Sequence, residues 1–140
     1  MAKSKRVEDI RVGDCVEFTK KLTESDILHF EGAIGDPSCH CAAGDVGSGS
    51  APLKGVACEL LSAGLIYTAA GLLLPGDGRR YLSQTLHFRK PVFAGDTVTA
   101  NVTVMDLHEM SNWVSLSTVC RNQRGDIVTE GEAIFMPHRD

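Results

Sequence analysis

Val56-Ala-Cys-Glu-Leu-Leu-Ser-Ala-Gly-Leu-Ile-Tyr-Thr-Ala-Ala-Gly-Leu-Leu-Leu74 is the stretch on which the fold turns, nineteen residues with one charge, at Glu59. By length it approaches a membrane span. It lacks basic or aromatic anchors on both flanks and is rich in Ala, Gly and Ser, which argues for a helix enclosed by other structure. Pro75-Gly76-Asp77-Gly78 ends it, because neither Pro nor Gly continues a helix.

Everything after this helix alternates. Arg80 to Phe88, Thr97 to Leu107, Asn112 to Arg121 and Ile127 to Met136 read as strands. In the second, Val98, Ala100, Val102 and Val104 share one face while Thr97, Thr99, Asn101 and Thr103 share the other. Pro91 to Asp96 and Asn122 to Asp126 are turns. Before the long helix, Cys15, Val16, Phe18 and Leu22 read as a first strand. Thr23 with Asp26 three residues on is a capping box opening a short helix. Its apolar face is Ile27, Leu28, Phe30, Ala33 and Ile34, and Gly35 closes it. Ala42 to Ser50, AAGDVGSGS, is a loop by composition. The order predicts an α+β domain, an antiparallel sheet of about five strands wrapped around the long helix, the one element apolar enough to fill its concave face.

Composition agrees with one domain over 1–140, with 1–11 as an N-terminal tail. The chain has 140 residues, 43% hydrophobic and 23% charged, and a formal net charge of −4. This excludes a disordered chain. With no basic run beyond Lys3, Lys5 and Arg6, it also argues against a nucleic-acid partner. The first residues carry no apolar stretch after their basic ones, so no secretory signal is expected and the expected setting is cytoplasmic. Five cysteines, at 15, 39, 41, 58 and 120, then stay reduced thiols.

Cys39, His40, Cys41, Cys58 and Glu59 invite a zinc reading, but C-x-C holds two ligands awkwardly close and no second Cys/His pair follows, so no metal is expected. Cys58 at a helix start could be an activated thiol, yet no basic partner stands at a fixed spacing from it.

Several blocks in one order resemble the MaoC-like hot-dog family of R-specific enoyl-CoA hydratases and 3-hydroxyacyl thioester dehydratases. They are Val12-Gly13-Asp14, Phe18 to Ile27, Gly35-Asp36, Leu74-Pro75-Gly76, Tyr81 to Val92 and Gly95 to Ala100, and the resemblance runs from about Val12 to Met136. It implies a hot-dog fold, a substrate that is an acyl-CoA or acyl-carrier thioester, no cofactor apart from the coenzyme A or carrier of that substrate, and a homodimer. The family motif resembles D-x-N-P-x-H, followed by a block like A-H-G-M that opens the long helix. Asp36 matches the aspartate, whereas Cys41 stands in the histidine register with His40 one position before it. Cys58 and Glu59 replace the histidine and glycine of the second block. The resemblance therefore implies Asp36 and His40 as catalytic residues, with Cys41, Cys58, Glu59 and Tyr67 lining the substrate. The expected activity is that of a hydratase or dehydratase with a divergent site. A non-catalytic acyl-CoA-binding protein and a thioesterase using Glu59 are the alternatives.

Overall fold

The computed structural model describes residues 4–35, 57–75 and 79–138. A short 3-10 turn, Val7–Asp9, precedes strand β1, Cys15–Lys21, and helix α1, Glu24–Ile34. Helix α2 spans Leu61–Leu73, followed by β2, Arg80–Gln84, β3, His87–Phe88, β4, Thr97–His108, β5, Trp113–Arg121, and β6, Ile127–Met136. The six strands form one antiparallel sheet in the order β1-β4-β5-β6-β2, with β3 also paired to β6. Its inner face packs on α2, the hot-dog arrangement expected from the sequence.

Local chemistry accounts for most boundaries. The Asp26 N–H donates to Thr23 Oγ1 at 3.1 Å and the Thr23 N–H donates to Asp26 Oδ2 at 3.0 Å, completing the capping box of α1. Gly35, at φ 73°, is the left-handed cap that ends it. Period two holds along β4, where Val98, Ala100, Val102 and Val104 are buried against α2 beside Val114, Leu116 and Cys120 of β5. On α2 the buried positions Ser62, Leu65, Ile66, Ala69, Ala70 and Leu73 recur at helical spacing, and the two alanines let the helix sit close to the sheet.

Four expectations are corrected. The strand expected over Arg80 to Phe88 is two strands, broken at Thr85 and Leu86, which makes six in all. Gly131 of β6 explains the break: a side chain there would lie 2.6 Å from the Thr85 carbonyl carbon and nearer still to its oxygen, so the edge crosses β6 where no Cβ exists. Helix α2 begins at Leu61 rather than Val56, and this chain alone leaves one side of it uncovered: among the described residues Leu60 (51%), Tyr67 (45%) and Leu72 (55%) are exposed. A sheet covers one side of a helix, and apolar composition does not say what covers the other. Of the apolar face of α1, Ile27 reaches the core, whereas Leu28 and Ile34 are exposed. Lastly, the described part of the expected tail, residues 4–11, is held to the domain, because Val7 and Ile10 pack in the core and the Lys5 N–H donates to the Pro75 carbonyl at 2.9 Å.

Candidate active site

The turn leading into α2 carries two of the expected site residues. Ala57 is pinned to the Pro91–Asp96 turn, its N–H donating to the Val92 carbonyl at 2.8 Å. That turn is itself fixed. Asp96 Oδ2 accepts from the Phe93 N–H at 2.9 Å, Asp96 Oδ1 accepts from Gln123 Nε2 at 2.9 Å, and Gly95, at φ 93°, donates to the Leu22 carbonyl at 2.7 Å. From Cys58 on, the chain tightens: Leu61, Ser62 and Ala63 donate to the carbonyls of Cys58, Glu59 and Leu60 at 3.0, 3.3 and 3.0 Å, a three-residue pattern that precedes the α-helix proper. Cys58 and Glu59 therefore sit on the lead-in turn and not within the helix.

No side chain caps α2 at Leu60. Among the described residues none accepts from the backbone N–H groups of Cys58, Glu59 or Leu60. These donors stand at the positive end of the helix dipole, an arrangement suited to an oxygen on which negative charge develops. Beside them is a crevice of about 20 Å³, room for about one water. It is lined by Cys58, Glu59 and Ser62 of the turn and helix, by Leu22 after β1, and by Phe88 and Lys90 at the end of the edge strand. Cys58 is buried and Glu59 is exposed.

Of the other expected residues, Asp36, His40 and Cys41 lie outside the described residues. So does most of the cysteine and histidine cluster. Among the described residues, no group of three or more His, Cys, Asp or Glu is placed to hold a metal ion.

Tyr67 does not line the crevice; eight positions beyond Glu59, it is on the order of 12 Å along the chain axis at helical rise. It belongs to an aromatic group between helix and sheet, with the Tyr81 ring centroid at 5.6 Å, the Phe135 centroid at 6.3 Å, and the Arg79 guanidinium 5.3 Å from its own. Tyr81 donates to Gln84 Oε1, and Gln84 Nε2 donates to Thr118 Oγ1 at 3.1 Å, so this wall carries a satisfied polar chain. Burial pushes the Tyr81 hydroxyl up to about 12. Burial likewise pushes the Cys120 thiol up to about 12, and its Sγ lies 3.9 Å from the Ser62 carbonyl.

Sequence reasoning missed Leu22, Ser62, Phe88 and Lys90 as crevice residues. Phe88 and Lys90 stood in the block Tyr81 to Val92, where their alternation was legible, but only the fold shows which face of the strand meets α2. A larger depression, about 420 Å³, lies on the outer face of the sheet, away from α2, lined by His87, Arg89, Ser117, Glu130 and Glu132 among others. Its Arg89 and Glu130 are ion-paired at 3.1 Å.

The helix-in-sheet core and the turn into α2 are matched in known proteins. The chain belongs to the MaoC-like hot-dog family of (R)-specific enoyl-CoA hydratases and dehydratases. It is 39% identical to the (R)-specific enoyl-CoA hydratase of Rhodospirillum rubrum, an alignment covering 92% of this chain and 89% of the relative. It is 33% identical to the 3-hydroxybutyryl-CoA dehydratase of Methylorubrum extorquens, over 91% and 80% of the two chains. Among solved structures, an unliganded R-hydratase of Pseudomonas aeruginosa superposes with a TM-score of 0.84 at 30% identity, covering 96% of this chain and 86% of the other. No protein-family model matches the chain. Among the described residues, no helix is long and apolar enough to cross a membrane.

Proposed function

We propose that the protein hydrates 2-enoyl thioesters to (R)-3-hydroxyacyl thioesters, and in reverse dehydrates them, with coenzyme A or an acyl carrier as part of the substrate and no separate cofactor. What carries this reading is the 39% identity to an (R)-specific enoyl-CoA hydratase over 92% of the chain, together with the α2 lead-in N–H groups, which find no acceptor among the described residues. In the reaction, the thioester oxygen accepts from backbone N–H at Glu59, and Asp36 and His40 hold one water against the β-carbon. As the C–O bond forms, the base takes a water proton and the alkene electrons move toward the thioester oxygen. The acid then returns a proton to the α-carbon, so one water is consumed and nothing else is gained or lost. Glycine is not required at position 59, since any residue but proline supplies the N–H. The Glu59 carboxylate faces solvent rather than the core. The buried Cys58 thiol is a small apolar liner of the crevice, the family register assigns Cys41 to the same substrate site, and Tyr67 is part of the wall beside the acyl chain.

The working unit is a homodimer. Exposed Leu60 just before α2, exposed Leu72 on α2 and exposed Leu82 on edge strand β2 are apolar surface that a second copy would cover. Free thiols at Cys15, Cys58 and Cys120 accord with a cytoplasmic setting.

The deciding experiment mixes purified protein with crotonyl-CoA and follows the enoyl absorbance. Loss of absorbance in the wild type and its abolition in Asp36→Asn supports the proposal. Thiol release from a saturated acyl-CoA without hydration would make the protein a thioesterase working through Glu59, and neither reaction would make it a binding protein.

A further inference from the structure

We propose that Lys90 and Arg124, held together on the Asp126 carboxylate, form the seat for the phosphate of the pantetheine arm that carries the acyl thioester. The inference rests on the thioester reading above and adds to it the element that selects the carrier.

The thioester and the pantetheine arm are uncharged; what distinguishes a coenzyme A or carrier-bound acyl group from any other ester is its phosphate. Selection for it requires cations outside the crevice but continuous with it. Lys90 meets that requirement, because it lines the crevice alongside Cys58 and Glu59 and turns its ammonium outward to Asp126 Oδ2, at 3.3 Å. Arg124 Nε approaches the same oxygen at 3.7 Å. Two cations on one carboxylate leave 2 − 1 = +1 over these three side chains, on a chain whose formal net charge is −4, with the exposed Glu59 as the carboxylate of the adjoining crevice. The next cation and anion along the edge, Arg89 and Glu130, pair with each other and add nothing to that excess.

The pair is also built rather than incidental. Arg124 and Asp126 stand on the β5–β6 turn, whose buried Asn122 accepts through Oδ1 from the N–H groups of Arg124 at 3.0 Å and Asp126 at 3.1 Å. Gly125, at φ 83°, donates to the Asn122 carbonyl at 3.0 Å, and Arg121 Nη1 donates to the Gly125 carbonyl at 3.2 Å. The Lys90 N–H reaches the Val128 carbonyl at 3.3 Å, which sets β6 and the residue after the edge strand at a fixed distance. Asp126 is thus a positioning residue: it keeps two otherwise flexible cations side by side. Their side chains remain 55% and 58% exposed, open to a phosphate arriving from solvent. Such charge-assisted contacts are the strong class of hydrogen bond.

Calorimetric titration of the full chain with phosphopantetheine and with pantetheine tests this without depending on turnover. The wild type is expected to favour phosphopantetheine by about tenfold. That ratio falls toward one in Lys90→Gln and in Arg124→Gln, and Lys90→Arg retains it. Titrations with coenzyme A and with a holo acyl carrier protein identify the source, as the one that binds more tightly than phosphopantetheine and weakens in the same variants. The same preparations are assayed with crotonyl-CoA. Hydration with an unaltered ratio in the glutamine variants overturns the phosphate seat and leaves the hydratase reading standing. A ratio that falls as expected without hydration upholds the seat and removes the hydratase reading. No preference for phosphopantetheine in the wild type refutes the seat outright.

Discussion

Gly131→Ala is the substitution whose cost the structure fixes most closely. Gly131 lies on β6 opposite Thr118, on the face toward α2, where the edge strand crosses between β2 and β3. A Cβ built there lies 2.6 Å from the Thr85 carbonyl carbon and 3.3 Å from the Leu86 nitrogen, both backbone atoms, so no rotamer change relieves the overlap. The edge must move outward, and three contacts depend on its position. The Thr85 N–H donates to the Glu132 carbonyl at 2.8 Å, Thr85 Oγ1 donates to the same carbonyl at 3.2 Å, and Gln84 reaches Thr118 at 3.1 Å. Losing one or two hydrogen bonds at about 1 kcal/mol each, with overpacking strain of about 1–3 kcal/mol, gives a destabilisation of about 2–5 kcal/mol. Against a total stability of about 5–15 kcal/mol this moves a denaturation midpoint well outside error. The assay is urea unfolding followed by fluorescence of Trp113, the single tryptophan, whose ring stacks on His108 at 3.4 Å between centroids. Gly71→Ala is the control. Its added Cβ meets the tip of the Arg79 side chain at 2.6 Å, a flexible group that can swing aside, and alanine favours the helix by about 1 kcal/mol. The expectation is that Gly71→Ala is neutral or stabilising. If Gly131→Ala cost no more than Gly71→Ala, the account of why the edge strand breaks would be wrong.

Asp36→Asn should lower kcat/KM for crotonyl-CoA by about a hundredfold or more, the ordinary worth of a positioned acid or base; a drop of less than threefold would remove Asp36 from the chemistry. If the proposed homodimer forms through the exposed side of α2, Leu72→Glu should lower the mass seen by light scattering at micromolar concentration to that of a monomer, whereas Met110→Glu, at a fully exposed hairpin tip, should not. The Thr23 N–H, followed by the Thr23 hydroxyl and Lys20, holds the Asp26 carboxyl below the usual carboxylate range. A depressed folded-state pKa stabilises above the unfolded value and is lost as pH falls through the folded one. Asp26→Asn should therefore destabilise at neutral pH and cost progressively less in acid, and a pH-independent cost would contradict the capping geometry. With a thiol reagent at neutral pH, exposed Cys15 should react promptly and Cys120, its thiol pushed up to about 12 by burial, only on unfolding.

What the sequence could disclose followed the range of the interactions involved. The Thr23–Asp26 box, the Gly35 cap, the turn at Pro91 to Asp96 and the alternation of β4 are each written within a few residues, and each appears where the pattern set it. The break at Thr85 depends on a glycine 46 positions later, at 131, that touches it only after β6 has paired, so no window on β2 could contain the signal. The open side of α2 was illegible for a different reason. Leu60, Tyr67 and Leu72 are apolar like their buried neighbours, and composition reports affinity for burial without naming the surface that supplies it.

The same distinction divides the site. Register along the chain brought Cys58 and Glu59 to the start of α2, and that survives the shift of the helix boundary to Leu61, because the N–H groups of Cys58, Glu59 and Leu60, which find no acceptor among the described residues, belong to the lead-in turn whichever residue is counted first in the helix. Lys90 enters only through tertiary structure, since the pairing of β3 with β6 turns Phe88 and Lys90 toward the crevice and His87 and Arg89 toward the outer face. A one-residue slip in that register would exchange the two sets, moving the ammonium that stands on Asp126 to the far side of the sheet. The two-residue strand β3 is thus what sets Lys90 beside the turn into α2, and the fixed β6 partner of its short ladder, rather than any motif around Lys90, decides which side of the edge faces the crevice.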